Sequence, residues 1–422
     1  VWTIFLTKLR EKINMFMRGL IALAFGTLGL GIAEFVAVGL LPYIAKDFGI
    51  SIGQAGMMVS TYAVGVAIGA FSLLWLRKLK LKTILLLLVV VMILGNAYTA
   101  ISPTFNNMLV GRFVAGLPHG CFFGVGSIIA QRIATQGKGN NAVAIMVAGM
   151  TVANVFGVPL GTAIAHSFSW RAIFCIIALW DVLVLISAAL WVKDTGGIED
   201  HGFFAQFRFL KHPAPWLVVI ATLCGNAGIF SVFSYASPVL TGLSNLSLEL
   251  IPVVLIASGI SMVIFNLVSG HLCDKFTPGK IATIFQCMTI VALLTLAVFG
   301  SNIVVGITVI VLIAGFMFAI STPEQVAILR CAPGGLLLGA AMIQAAFNLG
   351  NALGAVTGGI PFRFDLPINF SGVLGAVLAA CGAALLFMYY KFHEHKFSEN
   401  IESDRTLPGN EDYVAQDTQE TK

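Results

Sequence analysis

Gly149-Met-Thr-Val-Ala-Asn154-Val-Phe-Gly157-Val-Pro159-Leu-Gly161 is an apolar stretch punctuated by glycine, and its core comes back later in the chain. Asn154-x-x-Gly157-x-x-x-Gly161 recurs as Asn351-x-x-Gly354-x-x-x-Gly358, every position displaced by 197 residues. Arg77-Lys78 meets Asp274-Lys275 at the same offset. One register shared by two motifs points to a duplicated chain. Within the first copy Pro159 removes a backbone donor, and the glycines remove side-chain bulk. Gly157-Val-Pro159-Leu-Gly161 therefore predicts a kinked, closely packed hinge in a helix.

The surroundings of these motifs decide the solvent. Residues of the AVILMFWYC set make up 58% of the 422, and charged residues only 10%, where about 25% is usual in soluble domains. So few charges cannot cover a folded surface in water. This excludes a cytosolic enzyme, a disordered chain and a nucleic-acid binder, despite the net charge of +5. The seven cysteines stand singly, with no CxxC and no His/Cys cluster at metal spacing, and no phosphate loop, dinucleotide motif or nucleophile elbow occurs. Neither metal nor cofactor is implied.

Continuous apolar runs long enough to cross the hydrocarbon core fall at 19–45, 53–76, 83–101, 105–134, 141–166, 169–192, 215–241, 247–272, 279–300, 303–329, 336–361 and 368–391. The runs do not alternate, so the reading is an all-α polytopic membrane protein of twelve transmembrane helices rather than a barrel. The first run lacks a small-residue cleavage site and reads as a helix, not a removed signal. With both termini cytoplasmic, 20 of the 24 basic residues fall on the cytoplasmic side; Lys46, Arg171 and Arg363 fall opposite, and Arg112 lies within a span. That bias supports both topology and orientation.

The segment 193–214 is the largest internal break and acts as a cytoplasmic linker between two pseudo-symmetric six-helix bundles, 18–192 and 215–391. Duplicated halves around a central site are the geometry of alternating access. Residues 1–17 form an N-terminal cytoplasmic segment, where Trp2, Phe5 and Leu9 among basic residues admit an interfacial helix not essential to the fold. The tail 392–422 is polar, acidic and expected to be disordered.

Charges inside spans ask for a reason, because each costs at least about 2.5–3.5 kcal/mol at the bilayer centre. Glu34 lies mid-span in the first run and Asp181 mid-span in the sixth. Each reads as a protonatable carboxyl, or alternatively as a structural hydrogen-bonding group. Arg112, Gly116, His119, Gly120 and Phe123 share one face of the fourth span. The arginine cannot discard its charge and needs a carboxylate, a carbonyl or a water path, with Glu34 and Asp181 as the acids on hand. His119 is either a titrating group or a packed, hydrogen-bonded one. Glu324, about six residues from Arg330, reads as an interfacial, snorkelling carboxyl.

In the eleventh span Gln344, Phe347, Asn348 and Asn351 follow i, i+3, i+4, i+7. Three amides on one face suggest a wet cavity, and amides read hydroxyls well. The seventh span adds Asn226, Phe230, Phe233, Ser234 and Tyr235, suited either to stacking on a sugar or apolar ring or to plain packing.

These residues resemble the major facilitator superfamily, in its drug–proton antiporter branch. Arg112-x-x-x-Gly116-x-x-x-Gly120 is similar to the branch's span-four signature, and 149–161 to its span-five antiporter signature. GTLGLGIAEF (26–35), GRFVAGLPHGCFFGVG (111–126), FSWRAIF (168–174), PAPW (213–216) and AAFNLGNALGA (345–355) resemble AraJ-type sugar (arabinose) efflux permeases, from about Met17 to Lys391. The resemblance implies proton-driven efflux, with Glu34 and Arg112 as coupling candidates. It also implies a gate in the loop after span two, where Arg77 replaces the usual acidic residue, so that the gate leans on Lys78 and on Asp274-Lys275. The expected protein is a multi-pass, monomeric permease of a bacterial inner membrane. It exchanges protons, through Glu34, Arg112, Asp181 and His119, for a sugar or oligosaccharide held by Asn226, Gln344, Asn348 and Asn351. The 13 methionines and 32 phenylalanines also permit export of hydrophobic drugs by the same machinery.

Overall fold

The computed structural model describes residues 2–76, 78–134, 139–197, 205–332 and 336–394; within these, the side chains of 2–15, 73–74, 139–141, 144, 205–206, 274 and 336–337 lie outside the description. The expectations for Arg77 and for the tail beyond 394 therefore fall outside the described residues, and so does the Asp274 side chain.

Lipid offers the backbone no hydrogen-bond partner, so apolar runs satisfy their own N–H and C=O groups as helices. Among the described residues the regular structure is wholly helical. Among the described residues, eleven helices are long and apolar enough to cross a membrane. The eleventh expected span, Leu336–Gly358, is a 23-residue helix packed against Pro213–Phe233 and Met57–Leu76.

Several spans are broken, and the breaks follow from local chemistry. Span one runs as Trp2–Phe35, is interrupted at Val36 two residues beyond Glu34, and continues as Ala37–Phe48, with Pro42 inside. Residues 2–16 belong to this same continuous helix. Gly49, at φ 63°, closes it in the left-handed conformation that glycine adopts without strain. Span two is Ile52–Ala55 and Met57–Leu76, opened by a reciprocal Ser51/Gln54 capping box. Spans three and four are Leu81–Ile101 and Phe105–Ile133, the latter capped by Thr104.

Span five is Gly139–Val152, a widened π-helical turn at Ala153–Gly157, and Val158–Ser167. The Val158 N–H reaches back five residues to the Ala153 carbonyl. Pro159, which has no N–H to give, stands where the helix resumes its ordinary pitch. A methyl group on Gly157 would meet the Ile32 side chain at 2.5 Å, and one on Gly161 would meet Val36 at 2.7 Å. The kink therefore presses span five onto span one at the level of Glu34.

Span six is Trp170–Trp191. A short helix, Ala205–Lys211, ends the linker, and its Phe209 is buried against Ala332, Leu338 and Met342. Span seven is Pro213–Phe233 and, past a break, Ala236–Gly242. Spans eight, nine, ten and twelve are Ile251–Lys275, Pro278–Phe299, Ile303–Cys331 and Phe370–Phe392; Ile360–Arg363 follows span eleven.

Spans one, five and six pack together, as do two, three and four; seven, eleven and twelve form a third group, and eight, nine and ten a fourth. Two seams join residues far apart in sequence. Span two lies along span eleven, where the Ser60 hydroxyl donates to the Ala352 carbonyl at 3.1 Å. Span eight lies on the π turn and the following segment of span five, with Gly259 directly on the Asn154 backbone. Lys78, Lys80, Arg132, Lys193, Lys275 and Arg330 mark one end of the molecule, called here the basic end.

Candidate functional site

The break in span one places Glu34 where spans one, four and eleven meet. Its side chain is 12% exposed, and Oε2 lies 3.7 Å from Nε2 of His119 on span four. Oε1 accepts a hydrogen bond from Nδ2 of Asn351 on span eleven, at 3.3 Å. Asn226 of span seven donates in turn to the Asn351 side-chain oxygen, and to the Phe347 carbonyl at 2.9 Å. On the other flank the Tyr62 hydroxyl of span two is 2.9 Å from Nδ1 of His119. The result is one polar chain, Tyr62–His119–Glu34–Asn351–Asn226, crossing from span two to span seven. His119 also stacks on Phe123, the ring one turn further along the same face.

Arg112 is completely buried. Its Nη1 donates to the Ala33 carbonyl at 2.8 Å and its Nε to the Met58 carbonyl at 3.5 Å. The guanidinium lies 4.2 Å from the centre of the Tyr62 ring and 5.4 Å from that of Phe174. Of the possible partners, then, carbonyls and aromatic faces hold this arginine, and among the described residues no carboxylate forms a salt bridge with it. Gly116 and Gly120 work as their spacing predicts: a side chain at either would strike the span-two backbone near Tyr62, Val66 and Ala70. The close approach brings Tyr62 within reach of both Arg112 and His119.

The other candidates are distributed elsewhere. Asp181 is buried on span six and accepts from Asn96 of span three at 2.8 Å, its Oδ1 having no hydrogen-bond partner. It lies against Gly29, more than a helical turn before Glu34, and touches no member of the polar chain through a hydrogen bond. Asn348 is buried, with Nδ2 folded back onto the Gln344 carbonyl and Oδ1 unpartnered. Gln344 is half-buried on the same helix face.

Phe230 packs edge-on against Phe233. Tyr235 is fully buried, stacked on Phe362 and donating to the Ala355 carbonyl at 2.8 Å. Both rings are thus held in packing between spans seven and eleven. Lys78 and Lys275 are exposed at the basic end.

Glu324 departs from the interfacial reading. It is 1% exposed, beside Thr222 of span seven, and one carboxyl oxygen has no hydrogen-bond partner. Span ten continues two turns past it to Cys331, and span seven covers that face, so the side chain has no route to water by snorkelling.

Sequence reading missed Tyr62 and Phe174 because each is one ring in an apolar run. Their role arises only when span two packs on span four and the Phe174 ring of span six comes to 5.4 Å from the Arg112 guanidinium.

The model of the Major Facilitator Superfamily matches residues 23–337. The chain belongs to this superfamily. It is 39% identical over 381 residues to the transporter AraJ of Escherichia coli (strain K12), covering 90% of this chain and 97% of that one. Further relatives are a "Probable sugar efflux transporter" of Mannheimia succiniciproducens, 26% identical with 91% and 96% covered, and a chloramphenicol resistance protein of Streptomyces lividans, 28% identical with 84% and 93% covered. In fold, the chain is similar to the crystal structure of a D-xylose-proton symporter, with TM-score 0.71, 15% identity, and 90% and 99% covered. The protein is a multi-pass membrane transporter of small solutes, not an enzyme.

Proposed function

We propose that the protein is a proton-coupled efflux permease, exporting a small, neutral, hydroxyl-rich solute such as arabinose or an oligosaccharide. It works in a bacterial inner membrane as a monomer of twelve spans in two six-helix bundles, with both termini cytoplasmic. The observation that carries the reading is the double engagement of Glu34, toward His119 in the first half and Asn351 in the second.

Ionised, Glu34 is an acceptor only, and it holds the Asn351 amide. Protonated, it loses acceptor strength, and the Asn351 amide is no longer held in place for a solute. An amide offers two donors and an acceptor, which matches vicinal hydroxyls. Proton and solute are then alternatives that act through the same amide. A hydrogen bond to a charged group contributes about 1.5–3 kcal/mol, the same range as a typical coupling energy between two ligands, about 1–3 kcal/mol. Arg112, fixed beneath span one by the Ala33 carbonyl, ties the turn that carries Glu34 to span four. His119 and Tyr62 supply a path for the proton. The span-five π turn, pressed on the Val36 break, lets the bundle rock as Glu34 changes state.

The relative linked to chloramphenicol resistance keeps a second reading alive, export of hydrophobic compounds. Purified protein in liposomes under an imposed pH gradient discriminates the two. Labelled arabinose or its oligomers moving only while the gradient stands is the expected result. Movement of lipophilic compounds alone selects drug efflux, and silence of folded protein across the panel overturns the sugar assignment.

A further inference from the structure

At the basic end, the last turn of span eight, the first of span nine and the last of spans ten and twelve border an open, solvent-facing cavity of about 430 Å³, lined by Lys275, Thr277, Lys280, Arg330 and Tyr390 among others. None of the three cations has a carboxylate within salt-bridge distance among the described residues. The nearby carboxyl of Glu394 is turned to the Gly279 N–H, at 2.7 Å. The Lys280 ammonium rests 4.9 Å from the centre of the Phe276 ring. The Thr277 hydroxyl is buried without a partner. Three positive charges and an idle hydroxyl around one cavity call for an anion with several acceptor oxygens.

A second feature begins one turn away. Lys280, Ile284, Cys287, Met288, Val291 and Thr295 form one stripe on span nine, at i, i+4, i+7, i+8, i+11 and i+15. From Ile284 onward this stripe is one wall of a groove of about 710 Å³, whose other wall is span ten from Val304 to Phe316. Val291 and Val304 on its rims are 65% and 67% exposed, so the groove faces the membrane. From Lys280 to Val291 the stripe is about 16 Å long at 1.5 Å per residue, matching the roughly 15 Å depth of one leaflet's hydrocarbon.

We propose that the cavity and groove together bind one anionic phospholipid, its phosphate among Lys275, Lys280, Arg330 and Thr277 and an acyl chain along the stripe between spans nine and ten. A soluble phosphate would use the cavity but not the groove. A zwitterionic lipid would carry a cation into a site that already holds three. With the proposed orientation, on which this assignment of leaflet rests, the site faces the cytoplasmic leaflet, where anionic lipid and a basic pocket attract one another.

The test is native mass spectrometry of the purified full-length chain, titrated with phosphatidylglycerol, with phosphatidylcholine of the same acyl chains, and with glycerol 3-phosphate. Phosphatidylglycerol should be retained on the order of tenfold more strongly than phosphatidylcholine. Lys275→Gln with Arg330→Gln should abolish the preference, and Val291→Trp should weaken retention of phosphatidylglycerol while thermal stability in detergent is kept. Equal retention of the two lipids by the wild-type chain, which needs no variant to fold, overturns the proposal. Glycerol 3-phosphate displacing phosphatidylglycerol at equal concentration overturns the lipid assignment. The readout involves no transport, so failure of the antiporter reading would leave a lipid preference visible.

Discussion

Asn154 and Asn351 occupy the same position in the repeated motif and have opposite fates. Both are nearly fully buried. Asn154 lies in the π turn of span five, packs its backbone on Gly259 and leaves its side-chain oxygen without a partner. Asn351 stays in regular helix, donates to Glu34 and accepts from Asn226. The same 197-residue offset carries Glu34, Tyr62, Arg112 and His119 onto Ser231, Gly259, Val309 and Phe316. At these four positions the first half carries the ionisable side chains and the second carries none. The second half supplies amides to a charged cluster owned by the first, so the site exists only where the halves meet.

The comparison breaks most visibly at Arg112. Arg112→Met should leave the Ala33 and Met58 carbonyls without their donor and the Tyr62 face without its cation; a buried acceptor left unsatisfied costs about 1–3 kcal/mol. The expected outcome is a large fall in the melting temperature of purified protein, together with loss of transport. Val309→Ala, at the equivalent position, should keep transport.

Asn351→Ala should slow solute exchange by about ten- to a hundredfold, the equivalent of one charge-assisted hydrogen bond, measured as counterflow without a gradient. Asn154→Ala should leave exchange within about twofold, because no side-chain bond of its oxygen is lost. Equal effects would mean that the two copies are functionally alike after all.

The glycines sharpen the comparison further. A methyl group on Gly358 would lie 1.9 Å from the Ser231 carbonyl oxygen, a backbone atom, whereas one on Gly157 meets only the Ile32 side chain. Gly358→Ala should therefore cost more than Gly157→Ala, by about 1–3 kcal/mol as overpacking usually does, read as the difference in melting temperature.

The smallest effect belongs to the exposed clasp between Lys80 and Asp194, 2.8 Å apart at the basic end. Hydrogen bonding to Lys80, and to the Gly196 N–H, lowers the Asp194 pKa below its usual value. Bonding to Asp194 raises that of Lys80. Any stability from the carboxylate is thus lost as pH falls through its depressed pKa, and any from the ammonium as pH rises through its raised one. Asp194→Asn should shift the melting temperature at neutral pH by an amount too small to measure, as exposed pairs do.

Much of this was legible in the chain itself. Hydropathy locates the spans, and the repeat gives the register. Helical spacing puts Arg112 with His119 and Asn348 with Asn351. What spacing cannot say is which faces meet. Tyr62 joins the site because Gly116 and Gly120 admit span two, a contact between residues more than fifty apart. Asp181 looked equivalent to Glu34 by depth alone, yet pairs with Asn96 on the far side of span one. Glu324 looked interfacial by its distance from Arg330, because linear distance takes no account of the neighbour that covers it.

The central claim is that Glu34 is the point where proton and solute exchange. It is tested most directly by comparing wild type and Glu34→Gln in the same liposomes, once with a pH gradient and once as solute counterflow without one. The account predicts that Glu34→Gln loses gradient-driven accumulation while counterflow persists, because the glutamine carbonyl can still accept from Asn351 but takes up no proton. Full gradient-driven accumulation by Glu34→Gln would contradict it.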